Sequence, residues 1–141
     1  MKKLLTLFAA FTMLSVFAVA QSGPQMEISE EVHNFGKIAQ GIPVKHQFVV
    51  KNTGDEPLVI NNVQKVCGCT VTEWTKAPIM PGETGTVTAQ YNAARMGKFK
   101  KPITVISNAG NSPMKLYFEG EVVSKESLSG APENQSMLNN N

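Results

Sequence analysis

Aspartate is almost absent from this 141-residue chain, and cysteine and histidine occur only twice each. The one aspartate, Asp55, falls in a turn. Most glutamates fall at solvent-facing strand positions, without a neighbouring base or apolar pocket to tune them for proton transfer. No G-x-S-x-G, H-E-x-x-H or phosphate-cradling glycine-rich loop occurs. The expectation is a protein that is not an enzyme, with no catalytic residue to nominate. Two cysteines are too few for a disulfide-dense secreted scaffold, so core packing must carry the stability. A basic surface interleaved with aromatics is missing as well. Lys98, Lys100 and Lys101 around Phe99 form too short a run for a nucleic-acid footprint and read as a solvated strand edge.

The first twenty residues have the pattern of a cleavable leader. Lys2 and Lys3 supply a positive start, Leu4 to Phe17 is an apolar run broken only by Thr6, Thr12 and Ser15, and Ala18-Val19-Ala20 supplies the small residues a signal peptidase needs. Cleavage is predicted between Ala20 and Gln21. The run is shorter than the roughly 20 apolar residues of a spanning helix, so no membrane span is expected after cleavage. No cysteine lies near the cut to carry a lipid. Removing Lys2 and Lys3 leaves eleven basic and eleven acidic residues, so the mature chain carries no net charge. The expected location is periplasmic or extracellular.

About 120 residues remain, enough for one hydrophobic core. Their pattern has period two. Val87, Ala89 and Tyr91 alternate with Thr86, Thr88 and Gln90; Leu116, Phe118 and Val122 alternate with polar neighbours, with Gly120 on the apolar face. Val44, His46, Phe48 and Val50 likewise share one face, while Ile106 blurs the alternation of Ile103 and Val105. Turn residues interrupt these runs at 52–57, 81–83, 92–97 and 108–113. Seven strands are predicted, near 26–35, 44–52, 58–66, 69–74, 85–92, 99–107 and 114–123. Their number and spacing point to an all-β, immunoglobulin-like antiparallel β-sandwich over residues 21–123, with a small Greek-key barrel as the alternative. The tail 124–141, rich in Ser, Asn, Glu and Gln, is expected to be disordered.

Several short motifs carry a family resemblance: His33-Asn34-Phe35-Gly36-Lys37-Ile38, His46-Gln47-Phe48, Lys51-Asn52-Thr53-Gly54, Cys67-Gly68-Cys69-Thr70, Pro81-Gly82-Glu83 and Val105-Ile106-Ser107-Asn108. Over nearly all of the mature domain the chain resembles the bacterial domain-of-unknown-function 1573 family. It departs at Asn34, where an aspartate is expected, and so lacks a carboxylate there. The resemblance implies an Ig-like domain akin to those of Hydin and major sperm protein, which bind other proteins, and it suggests a Gram-negative envelope. The implied partner is another envelope protein or polymer.

The chemistry that remains belongs to Cys67 and Cys69. On a regular strand their Cα atoms would lie about 6.5–7 Å apart, at or beyond the usual disulfide limit, unless Gly68 bends the chain. Four uses stay open: simple packing in a corner, a labile disulfide with a redox role, a thiolate pair for Cu(I), or bridges to another chain. No helix is predicted to activate a thiol, and the four paired ligands of a zinc site are missing, so no metal centre is nominated. His46, on an apolar face, reads as a core residue or as an accessory ligand beside the thiols. His33 is expected to fix the turn that ends the first strand. Trp74 is read as core rather than as an exposed binding patch.

Overall fold

Period-two alternation puts every second side chain on one face of a strand, and two such faces closed on each other make a core. The structure, a computed structural model, describes residues 22–129. The leader with its cleavage point, and the tail beyond 129, lie outside the described residues. Eight strands form: β1 (Met26–Ile28), β2 (Val32–Ala39), β3 (Val44–Asn52), β4 (Ile60–Lys65), β5 (Thr70–Trp74), β6 (Thr84–Tyr91), β7 (Gly97–Ser107) and β8 (Met114–Val123). They make two four-stranded sheets, in the orders β1-β3-β6-β5 and β2-β8-β7-β4. Only the β5–β6 and β7–β8 connections stay within a sheet; each of the others carries the chain from one sheet to the other. Two separate sheets exclude the closed barrel and bear out the sandwich.

Three expectations need correction. The single strand foreseen over 26–35 is two strands, because the chain leaves its pairing with β3 after Ile28 and joins the other sheet from Val32. The sandwich is therefore eight-stranded. It is also not wholly antiparallel, since β2 runs parallel to β8. The solvated edge expected at Lys98, Lys100 and Lys101 is borne out. β4 pairs only Ile103–Ser107 of β7, so among the described residues these lysines have β8 on one side and no strand on the other. Lys98 and Lys100 face Glu121 and Glu119 of β8. Lys100 Nζ lies 3.1 Å from Glu119 Oε2. Third, the start of the tail is not structureless. Lys125–Ser129 forms a helical turn, α1, with Ser124 Oγ accepting the Ser127 N–H at 3.3 Å as an N-cap.

The core is what the alternation implied. Phe48, Val50, Val87, Ala89 and Tyr91 of one sheet close on Val63, Ile103, Val105, Leu116, Phe118 and Val122 of the other, all buried. Phe118 is its centre, with the rings of Tyr91, Phe35 and Phe99 at 6.0, 6.2 and 6.4 Å. Trp74 packs against this core as expected, and its Nε1 donates to the Ile60 carbonyl at 3.1 Å.

Asn52 is a fully enclosed polar side chain. Asn52 Nδ2 donates to the carbonyls of Glu56 (2.7 Å) and Ile79 (2.9 Å), and its Oδ1 accepts from the Gly54 N–H at 3.0 Å. A buried amide satisfied on both sides stabilises the turn it organises, whereas an unsatisfied one would destabilise it. The motif residues 33–36 also find a backbone cause. Gly36 adopts φ +68°, its N–H donates to Asn34 Oδ1 at 2.7 Å, and the pairing register with β8 shifts between Asn34 and Lys37. This is a bulge. Gly120 on the adjoining strand accommodates it, because a Cβ there would sit 2.8 Å from the Gly36 carbonyl.

Phe118→Ala is expected to cost about 3–5 kcal/mol, the range for deleting a fully buried phenylalanine. Urea unfolding of the variant against the parent measures it; a loss below about 1 kcal/mol would remove Phe118 from the centre of the core.

Candidate functional site

Cys67, Gly68 and Cys69 do not lie on a strand. They occupy the turn that carries the chain from β4 in one sheet to β5 in the other. In that turn the Cα atoms of Cys67 and Cys69 approach to 5.3 Å, and the two sulfurs form a disulfide. Sequence spacing makes the bridge look doubtful only because it assumes strand geometry. Gly68 is not what permits it: its φ lies outside the left-handed region, and a Cβ would meet nothing within 4 Å. Thr70, buried beneath, places its hydroxyl 3.7 and 3.9 Å from the two sulfurs.

The neighbouring loops are tied to this turn. The Asn92 N–H donates to the Cys69 carbonyl at 3.1 Å, and the Gly41 N–H donates to the Ala93 carbonyl at 2.9 Å. Gln40 adds its Nε2 to the Ala94 carbonyl at 3.1 Å. Ala93, fully buried, holds φ +51°, a conformation rare for a residue with a Cβ. The disulfide, Tyr91, Asn92, Arg95 and Lys101 border a recess of about 410 Å³. The three linked loops also expose Ile42, Val66 and Met96, with Val66 75% exposed.

His46 is not with the cysteines. It faces inward from β3 and stacks on His33 of β2, ring centroids 3.5 Å apart and planes 7° from parallel. Phe35 meets His33 edge-on at 4.6 Å, and Phe48 meets His46 edge-on at 4.7 Å. Glu30, in the crossing between β1 and β2, reaches both: Oε1 lies 2.8 Å from His33 Nδ1 and Oε2 3.2 Å from His46 Nε2. The second approach is too poorly aligned to be a hydrogen bond, so His46 Nε2 is buried without a hydrogen-bond partner. The His33 hydrogen bond holds the Glu30 carboxyl below the usual range. Burial, aided by the neighbouring His33, holds the His46 imidazole below its usual value. The expected role of His33 is thus corrected: the strand continues past Phe35 to Ala39, and His33, near its start, bonds to Glu30 in the crossing before it. No spacing rule could find this group, because its members come from two strands and a crossing that sequence reading merged into one strand.

Comparison with solved structures gives the class of fold. A protein of unknown function from Porphyromonas gingivalis W83 superposes with TM-score 0.64 at 17% identity, over 73% of this chain and 49% of that one. The chain thus spans about half the length of that protein. The PapD-like domain 7 of human CEP192 superposes with TM-score 0.60 at 8% identity, over 71% and 86%. The YadV chaperone gives 0.52 at 13% identity, over 70% and 52%. The protein is therefore a PapD-like, immunoglobulin-like β-sandwich. No curated protein matches it. Residues 26–122 match the family described as protein of unknown function DUF1573, and the chain belongs to that family.

A disulfide that closes so small a ring restricts the unfolded chain little; extrapolating the chain-entropy relation puts its contribution near ~1.5 kcal/mol. C67S/C69S is accordingly expected to fold cooperatively with a modest drop in urea midpoint. An unfolded double variant would show that the bridge is a staple after all.

Proposed function

We propose that the protein is an exported, non-enzymatic binding module of the bacterial cell envelope, which engages another envelope protein or polymer. The observation that supports this most is the exposure of Ile42, Val66 and Met96 on three hydrogen-bonded loops at one end of the sandwich. Single exposed apolar residues are ordinary, but three on loops held to one another by backbone hydrogen bonds suit that end to docking. Export rests on the leader pattern of residues 1–20.

Two measurements test the reading. Protein recovered from the envelope fraction should begin at Gln21 on N-terminal sequencing; a retained leader contradicts export by cleavage. In pull-downs from envelope extract, I42E/V66E/M96E should lose the partner at least tenfold, while M80E and C67S/C69S should keep it. Capture unchanged by the triple variant, or no specific partner for the parent, would sink the proposal.

A second reading has its own support. The disulfide borders a recess that also holds Arg95 and Lys101, cations that would favour a thiolate after reduction. In a thiol-based factor the bridge would accept two electrons and two protons from a client dithiol, which would become the disulfide. The reduced pair would suit Cu(I). Thiol titration should find no free thiol before reductant and two after it, with oxidation restored by a client disulfide or Cu(I) bound in competition. Two inert thiols would remove this reading.

A further inference from the structure

Packing alone gives no reason for the stacked histidines. An apolar pair at His33 and His46 would close the seam between the sheets without leaving a buried nitrogen unpaired, as His46 Nε2 is. What the pair does supply is a set of donor atoms. Glu30, His33 and His46 come from the sheet crossing, β2 and β3, and their ligand atoms all lie within 4.8 Å of one another. The carboxylate divides its two oxygens between the two imidazoles, at 2.8 and 3.2 Å. Ligand atoms around a tetrahedral ion with bonds of 2.0–2.2 Å stand roughly 3.3–3.5 Å from each other, close to this spacing.

We propose that Glu30, His33 and His46 form a binding site for a divalent transition-metal cation, with Zn²⁺ the ion that the donor set suits. Two imidazole nitrogens and one carboxylate oxygen are the donors of three-ligand zinc sites, and they leave a fourth position for water or an incoming group. Imidazole disfavours Ca²⁺ and Mg²⁺, which take oxygen ligands. The thiolates that Cu(I) prefers are bonded to each other at a different place in the fold.

The local environment fits the same assignment. Phe35 and Phe48, edge-on to the two rings, limit how far the imidazoles can swing. To share an ion the rings must rotate out of parallel. Their side chains are 25% and 20% exposed, so this turn occurs at the rim of the core and not inside it. A bound ion would clip the crossing and β2 in one sheet to β3 in the other. It would act where the flank of β3 is open, since β1 covers only Val50–Asn52 of β3 on that side.

Calorimetric titration of the tag-free full chain with Zn²⁺ at neutral pH tests this. One ion per chain is expected, with affinity reduced at least tenfold in each of E30Q, H33Q and H46Q and unchanged in C67S/C69S. A hundredfold excess of Zn²⁺ over Kd should raise Tm of the parent by on the order of 10 °C, and should do far less for H33Q/H46Q. Nitrogen NMR of the parent gives a readout that needs no variant: Zn²⁺ should shift His33 Nδ1 and His46 Nε2 together. No stoichiometric uptake by the parent, uptake retained by H33Q/H46Q, or imidazole nitrogens unmoved by Zn²⁺ would each overturn the proposal.

Discussion

The chain's departure from its first sheet after only three paired residues governs how the two sheets meet. β1 ends at Ile28, the backbone crosses at Ser29–Glu31, and β2 joins the other sheet. A hairpin would have returned antiparallel; a crossing lets β2 run parallel to β8 instead. The same crossing leaves β3 from Val44 to Val49 without a partner on that side, because β1 covers only its last three residues. Two sheets whose edges are left open beside each other need something between them. Here it is the stacked imidazoles, with Phe35 and Phe48 edge-on to them and Glu30 reaching over both.

The two ends of the sandwich solve the loop problem differently. At the end away from the disulfide, amides satisfy the backbone. Asn52 binds three main-chain groups from the interior. Asn108 accepts from the Val59 N–H at 2.8 Å and donates to the Pro57 carbonyl at 3.0 Å, while Asn111 accepts from Met26 and donates back to it. Such loops are fixed in place by polar contacts that few other residues could supply. The disulfide-bearing end has fewer such amides, Gln40 on the Ala94 carbonyl and Asn92 on the Ala94 N–H beside its backbone-to-backbone ties, and it exposes apolar side chains at Ile42, Val66 and Met96. Rigid loops with uncommitted side chains are what a surface needs if it is to recognise something.

Which features were legible in the residues depends on which forces are local. Alternation is local, so the inward faces at Phe48, Val87, Ile103 and Phe118 were legible, and with them the sandwich. Turn chemistry is local too, and Asn52-Thr53-Gly54 marked its turn. The crossing at Ser29–Glu31 was not legible, because no glycine or proline interrupts the chain there. Missing it hid the eighth strand, the parallel pair and the meeting of His33 with His46. The lysine run at 98–101 was legible as an open edge, but not that the strand on its other side brings Glu119 and Glu121 opposite.

Cys67 and Cys69 illustrate the limit of a spacing argument. Strand geometry sets their separation too wide, and the fold avoids the problem by not using a strand: the residues fall where the chain changes sheets, and the turn itself brings the Cα atoms to 5.3 Å. So small a ring is a weak staple, since the constraint on the unfolded chain falls with the length of the loop closed. The core around Phe118 already holds the fold, and the turn is anchored independently through Asn92 to Cys69 and through the buried Thr70. Stability is therefore a poor reason for two cysteines at this point. What distinguishes their position is the recess they border with Arg95 and Lys101, cations that would favour a thiolate if the bridge were reduced.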